Sequence, residues 1–141
     1  MKIGFIGLGV MGGAMCANLV RKHGAPVHVF DMVPAAIAEQ QAAGAVAAAC
    51  VADVGKAADL VLLSLPGGKE VAAVCEELAA HLKPGSIVGD LSTTSVAEAR
   101  AIATKLAAKG IQFADAPVAR TRQAAIDGTL SIMVGASEAL F

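Results

Sequence analysis

The chain has 141 residues, 11 Lys and Arg against 12 Asp and Glu, 56% hydrophobic and 16% charged residues, and neither Trp nor Tyr. That length reads as one domain able to bury roughly 70% of its unfolded surface, and the apolar excess excludes a disordered chain. A formal charge of −1 with no basic stripe, and four Phe as the only aromatics, exclude an electrostatic or base-stacking nucleic-acid binder.

Ile3 to Val20 is a stretch of 18 residues without a charge, long enough for a membrane span or a signal peptide, and it carries the Gly9-x-x-x-Gly13 spacing of packed membrane helices. Five of those residues are glycine, four of them (Gly4, Gly7, Gly9, Gly12) within the first ten positions. Each glycine costs about 1 kcal/mol against Ala inside a helix. The segment is therefore read as a strand (Lys2 to Ile6), a glycine turn (Gly7 to Gly12) and a helix from Val10 to Lys22 ended by Gly24. Met11, Met15 and Asn18/Leu19 fall on one side of that helix, and no membrane role is expected.

The alternation continues along the chain. Pro26 to Phe30 reads as a strand, Pro34 to Ala43 as a helix with Pro in its first turn, and Ala45 to Ala49 as a weak strand. A short helix around Ala52 to Ala58 leads to a buried strand, Leu60 to Ser64, closed by Pro66-Gly-Gly68. Lys69 to Leu82 reads as a helix stopped by Pro84-Gly85, and Ser86 to Asp90 as a strand. Ser95 to Lys109 reads as a helix opened by a Ser95–Glu98 capping box, and Ile111 to Asp115 as a further strand. Apolar strands alternating with helices predict a parallel sheet covered on both faces, wound right-handed into a doubly wound α/β domain of the Rossmann type.

After Asp115 the rhythm changes. Pro117 to Thr121 reads as a loop, Arg122 to Asp127 as one or two helical turns, and Thr129 to Val134 as a last strand. Ser137 with Glu138 to Phe141 reads as a cap and a single turn, which is not stable alone. The expectation is a dinucleotide-binding domain over residues 1–141 that opens a longer protein. The three cysteines, Cys16, Cys50 and Cys75, have neither disulfide nor metal spacing. They read as buried free thiols of a cytoplasmic protein, and no metal site is expected. The histidines His23, His28 and His81 converge on nothing.

Gly7-x-Gly9-x-x-Gly12 follows a strand and opens a helix, the context the dinucleotide fingerprint requires. The first glycine permits the tight turn, the second lets backbone approach a pyrophosphate, and the third lets the helix pack on the sheet. The helix start offers free N–H groups and the positive end of its dipole. Asp31, 19 residues beyond Gly12 and followed by Met32, stands where a carboxylate accepts the adenosine ribose hydroxyls. A 2′-phosphate would meet like charge there, with no nearby Arg to receive it, so NAD is expected over NADP. Leu65-Pro66 and Ser92-Thr93-Thr94 fall at strand ends on the same ligand edge. Their hydroxyls suit a nicotinamide or a substrate carboxylate, with helix capping as the plainer role. Arg120 and Arg122, either side of Thr121, suggest an anion site or two solvated side chains.

Taken together, Gly7-Leu-Gly-Val-Met-Gly-Gly-Ala-Met15 with Asn18-Leu19, Leu65-Pro66, Asp90-Leu-Ser-Thr-Thr94, and Asp115-Ala-Pro-Val118 through Gly128-Thr-Leu130 resemble the β-hydroxyacid dehydrogenases. That family includes 3-hydroxyisobutyrate dehydrogenase and tartronate semialdehyde reductase. The resemblance implies hydride transfer between NAD and a small anionic β-hydroxy acid or its semialdehyde. It places the turn from Gly7 through Leu8, Gly9, Val10 and Met11 to Gly12 at the pyrophosphate and Asp31 with Met32 at the ribose. Leu65 and Pro66 fall on the adenosine side, and Thr93 at the nicotinamide end. Where the family has Ser-Gly-Gly, this chain has Ala119-Arg120-Thr121. That is similar to the Gly-Arg-Thr of sulfolactaldehyde reductase-like members, and it implies Arg120 and Thr121 as the substrate-anion contacts. The family's catalytic lysine lies in a Gly-x-x-x-Lys-x-x-x-Asn helix of a second, helical domain. That motif is absent here, so no catalytic residue is assigned in this chain, and the chain alone is expected to be inactive. The resemblance further implies a homo-oligomeric whole protein, and an apolar patch on this domain where the helical one docks. A nucleotide-sensing module and an imine reductase relative are the alternatives.

Overall fold

In the computed structural model, which describes residues 1–141, the apolar runs become strands and the segments between them become helices. The elements are β1 (Ile3–Ile6), α1 (Val10–His23), β2 (Val27–Phe30), α2 (Pro34–Ala42), β3 (Val46–Ala47), α3 (Val51–Ala57), β4 (Leu60–Leu63), α4 (Gly68–Ala79), β5 (Ile87–Asp90), α5 (Val96–Ala107), β6 (Gln112–Asp115), β7 (Val118–Ala119), α6 (Arg122–Asp127) and β8 (Ser131–Ile132). Six strands pair in the order β3-β2-β1-β4-β5-β6, every pair parallel. The chain reverses its direction of travel between β1 and β4, which makes that crevice the switch point of a doubly wound sheet.

Local chemistry sets the helix ends. α1 stops at Gly24 in the left-handed region (φ 73°), with Arg21, Lys22 and His23 in the last turn against the negative end of the dipole. Pro34 opens α2, and the Ser95–Glu98 capping box is present at α5. α1 turns Gly12, Cys16 and Asn18 inward, so the buried stripe lies to one side of Met11, which stays partly open. α4 stops at Ala79, short of Leu82, and the last residues fold back onto the Leu78 carbonyl.

The largest departures lie beyond β6. The expected loop from Pro117 to Thr121 contains β7, and the expected strand from Thr129 to Val134 contributes only the two residues of β8. These pair antiparallel in a separate ribbon with α6 between them. Asp115 and Gly135 exchange backbone hydrogen bonds at 3.2 and 2.6 Å, which ties the ribbon to the edge of the main sheet. The Ser137 turn forms, with its hydroxyl accepting from Leu140 N–H at 3.3 Å.

The core divides across the sheet. α3, α4 and α5 cover one face with a cluster of 14 buried residues that includes Val61, Leu63, Val71, Leu78 and Leu106. The other face has only seven, among them Phe5, Cys16, Val27 and Val29 under α1 and α2. Both faces carry helices, but beyond β1 that second face leaves an apolar groove of about 570 Å³ over Leu60, Leu62, Ile87 and Leu91, bordered by α1 and α6. Cys16 and Cys75 are buried, but Cys50 is only half-buried at the start of α3. No three His, Cys, Asp or Glu side chains come together as metal ligands. No helix is long and apolar enough to cross a membrane.

Candidate dinucleotide and substrate site

The carboxyl ends of β1, β2, β4, β5 and β6 bring the selected residues to one edge. Gly7 has φ +96°, and a Cβ there would run into the Ser64 carbonyl of β4's exit. A Cβ on Gly12 would strike the Gly7 carbonyl, so the third glycine is what lets α1 start against the turn. A Cβ on Gly9 meets no atom within 4 Å. The second glycine is therefore demanded by nothing inside this chain, as expected where backbone must stay open to a ligand. Gly9 caps α1 without a side-chain bond, and the first N–H groups of the helix, at Val10 to Gly12, have no partner within it. Free donors at an open glycine turn fit a diphosphate.

Asp31 lies just past β2 and is fixed twice. Its Oδ2 accepts from Leu8 N–H at 2.7 Å and its Oδ1 from Val33 N–H at 2.8 Å. It thus caps its own turn and braces the glycine turn, while each oxygen keeps a further lone pair for a ribose hydroxyl. Leu8 commits its N–H to Asp31 and buries its side chain among Phe5, Val27 and Val29, so it shapes the turn. Val10 and Met32 are 64% and 91% exposed, two apolar side chains standing free on either side of the turn.

The β4 and β5 exits are clasped by a residue whose carboxylate carried no role in the sequence reading. Asp90, fully buried at the end of β5, accepts from Ser92 N–H at 2.9 Å and from the Thr94 hydroxyl at 2.6 Å. Ser92 Oγ in turn accepts from Leu65 N–H at 2.8 Å. Ser92 and Thr94 therefore hold two loops together and do not cap a helix; Ser95 alone does that. Pro66 and Thr93 remain exposed on the ligand edge, with Leu65 half-buried beside them. An Asp closing an otherwise apolar strand was the signal available in the sequence.

Asp115 sits beside Asp90 in strand register. Its Oδ1 is buried without a partner, and burial first, then the Asp90 charge, push its carboxyl above its usual range. Arg120 follows β7 with φ +92°, the one residue other than glycine with positive φ. Its Nη1 donates to Thr129 O at 3.2 Å, and Thr121 caps α6 by accepting from Ala124 N–H at 3.3 Å. Both residues are exposed. Arg122 lies elsewhere, in the cleft that α1 and α2 form with α6.

A parallel sheet with an open glycine turn and a braced carboxylate at its switch point defines a dinucleotide-binding domain of the Rossmann type. The chain belongs to the family described as the NAD binding domain of 6-phosphogluconate dehydrogenase, which it matches over residues 2–141. It is 42% identical to 2-(hydroxymethyl)glutarate dehydrogenase of Eubacterium barkeri over 100% of this chain and 48% of that protein. It is 40% identical to an NAD-dependent L-serine dehydrogenase of Pseudomonas aeruginosa over 95% of this chain and 46% of that one. Among solved structures, 3-hydroxyisobutyrate dehydrogenase of Mycobacterium tuberculosis with L-serine superposes with a TM-score of 0.94 at 35% identity, covering 98% of this chain and 47% of its own. The chain spans about half the length of these relatives. Its kin are hydroxyacid dehydrogenases, and its domain is one that binds a nicotinamide dinucleotide.

Proposed function

We propose that this chain is the cofactor-binding part of an NAD-dependent dehydrogenase acting on small anionic β-hydroxy acids. Asp31 carries the reading. Its carboxylate is held by two backbone donors beside the open Gly9 turn. There it receives ribose hydroxyls and repels a 2′-phosphate, which favours NAD over NADP.

The dinucleotide, when bound, supplies the hydride acceptor or donor. The chain's own residues do the rest of the binding. Val10, Met11 and Gly12 offer N–H groups to the diphosphate, with Gly7, Leu8 and Gly9 shaping the turn. Met32, Leu65 and Pro66 flank the adenosine, and Thr93 offers its hydroxyl at the nicotinamide end. Arg120 and Thr121 hold the substrate carboxylate. The substrates named for the relatives share one skeleton, a primary alcohol on the carbon next to the one that bears a carboxylate, with different groups on the middle carbon. The proposed substrate class is therefore the 2-substituted 3-hydroxypropanoates, oxidised to semialdehydes. The resemblance to the β-hydroxyacid dehydrogenases assigns the alcohol proton to a lysine of a helical domain in the whole protein.

Fluorescence titration with NADH and NADPH tests the cofactor. The chain should bind NADH at least tenfold more tightly than NADPH, and Asp31→Ala should narrow that ratio by about tenfold, the effect of removing roughly 1.4 kcal/mol of selective interaction. An unchanged ratio removes Asp31 from the site. The chain alone should turn over neither 3-hydroxyisobutyrate nor L-serine, and measurable turnover would overturn the assignment of the proton-transfer group to another domain.

A further inference from the structure

Asn18 belongs to a motif that the proposed function leaves without a task. It lies in α1, 9% exposed, and its Nδ2 donates to the carbonyls of Ala125 and Ile126 in α6 at 2.8 and 3.0 Å, with a weaker contact to Ala14 O at 3.3 Å. Arg21, one turn on, donates to Asn18 Oδ1. The orientation of the amide is therefore fixed by its neighbours. A guanidinium only donates and a carbonyl only accepts, so the oxygen must face Arg21 and the nitrogen must face α6.

The helix being held is short. α6 has six residues, and its last carbonyls have no partners within the helix. Gly128 N–H reaches Ala125 O at only 3.4 Å, and Ile126 is exposed, so the buried Ala125 is the one apolar anchor of this end. Lys22 adds a charge beside it: a Cβ on Gly128 would stand 3.0 Å from Lys22 Nζ. The other end of α6 begins at Thr121, directly after Arg120, and Ala125 lies only about 6 Å along the axis from Thr121. A displacement at Asn18 reaches Arg120 with little loss over so short a rigid element. α1 carries the glycine turn at its own head, about 12 Å from Asn18.

We propose that Asn18 is a positioning residue, whose carboxamide grips the end of α6 and so sets where Arg120 and Thr121 stand relative to the glycine turn on the same α1 helix. The inference rests on the reading of Arg120 and Thr121 as the substrate end. Arg21 keeps the carboxamide from turning over.

Two variants of the 141-residue chain test it. Asn18→Asp keeps shape and the Arg21 contact but loses both N–H donors; Asn18→Leu keeps bulk and loses every polar contact. Trypsin cuts after Arg120 and Arg122, so it reports directly on how firmly α6 is seated. Both variants should be cleaved there at least tenfold faster, while the dissociation constant of NAD stays within twofold. Binding of 3-hydroxyisobutyrate to the NAD-loaded chain should weaken at least fivefold. Arg21→Ala, which leaves Asn18 in place, should accelerate the same cleavages about threefold, and it decides the matter if the Asn18 variants do not fold. Cleavage at Arg120 and Arg122 no faster than in the unaltered folded chain overturns the proposal. So does a loss of NAD affinity parallel to that of the hydroxy acid, the mark of a merely structural residue. If the unaltered NAD-loaded chain fails to bind 3-hydroxyisobutyrate, the substrate reading falls, and the proteolysis still decides whether Asn18 seats α6.

Discussion

Asp31, Asp90 and Asp115 all stand at strand ends, and their surroundings give them different work. Asp31 is braced by two N–H donors and stays open on one side. Asp90 is buried but fully engaged by a backbone N–H and a hydroxyl. Asp115 has a buried oxygen with no partner and a charged neighbour in register. An ionised Asp115 is therefore a cost, and the sign of its pH dependence follows. Its folded pKa is raised, so the folded chain binds the proton more strongly than the unfolded one. Stability falls as pH rises from the ordinary carboxylate range through the raised value, and then levels off. Asp115→Asn removes that cost. Its melting temperature should match that of the unaltered chain near pH 3 and exceed it by a few degrees at pH 7–8. A gap that is constant with pH would place the effect in packing and not in charge. Burial likewise pushes the thiols of Cys16 and Cys75 up to about 12, with Asp90 adding to the shift at Cys75. Neither is a nucleophile at neutral pH.

At the scale of elements, what could be read in advance was what is decided locally. The glycine fingerprint, the Pro34 start of α2 and the Ser95–Glu98 box depend on neighbours a few residues away, and all three are present. The Asp90 clasp depends on β4 and β5 lying side by side, because Ser92 reaches Leu65 across 27 residues. β7 and β8 are two residues each, too short for any periodicity to mark them. Arg120 hides its most unusual feature in the same way, since nothing in an arginine side chain signals φ +92°. Such a conformation costs about 1–2 kcal/mol for a residue with a Cβ. Arg120→Gly should raise stability by about 1 kcal/mol, whereas Arg120→Ala, which keeps the Cβ, should change it by less than about 0.5 kcal/mol. Both lose the guanidinium, so under the proposed substrate role of Arg120 both should raise KM for the hydroxy acid in a whole enzyme by similar factors. Urea melts of the chain and steady-state kinetics of the enzyme separate the two effects. Equal stabilities for the Gly and Ala variants would mean that the backbone is relaxed at this position.

At the scale of the molecule, the two faces of the sheet are not equivalent, and the strand sequences do not reveal it. Leu60 to Leu63 is apolar throughout, which is how a strand buried on both sides reads. Yet Leu63 points into the cluster of 14 beneath α4 and α5, and its neighbour Leu62 faces the groove, which α1 lines along one side without filling. The two leucines differ in one physical respect, the presence of packed atoms on the far side. Leu63→Ala removes a fully buried side chain and leaves a cavity, a loss of about 2–5 kcal/mol. Leu62→Ala widens a groove that already opens to water, and should cost about 1 kcal/mol or less. A domain of this size has roughly 5–15 kcal/mol in total, so Leu63→Ala should shift the urea midpoint strongly and Leu62→Ala only slightly. If the two cost the same, the groove is filled in solution. Repeating the melts over a hundredfold range of protein concentration then shows whether a second copy fills it, because only an intermolecular contact makes the Leu62 penalty grow with concentration.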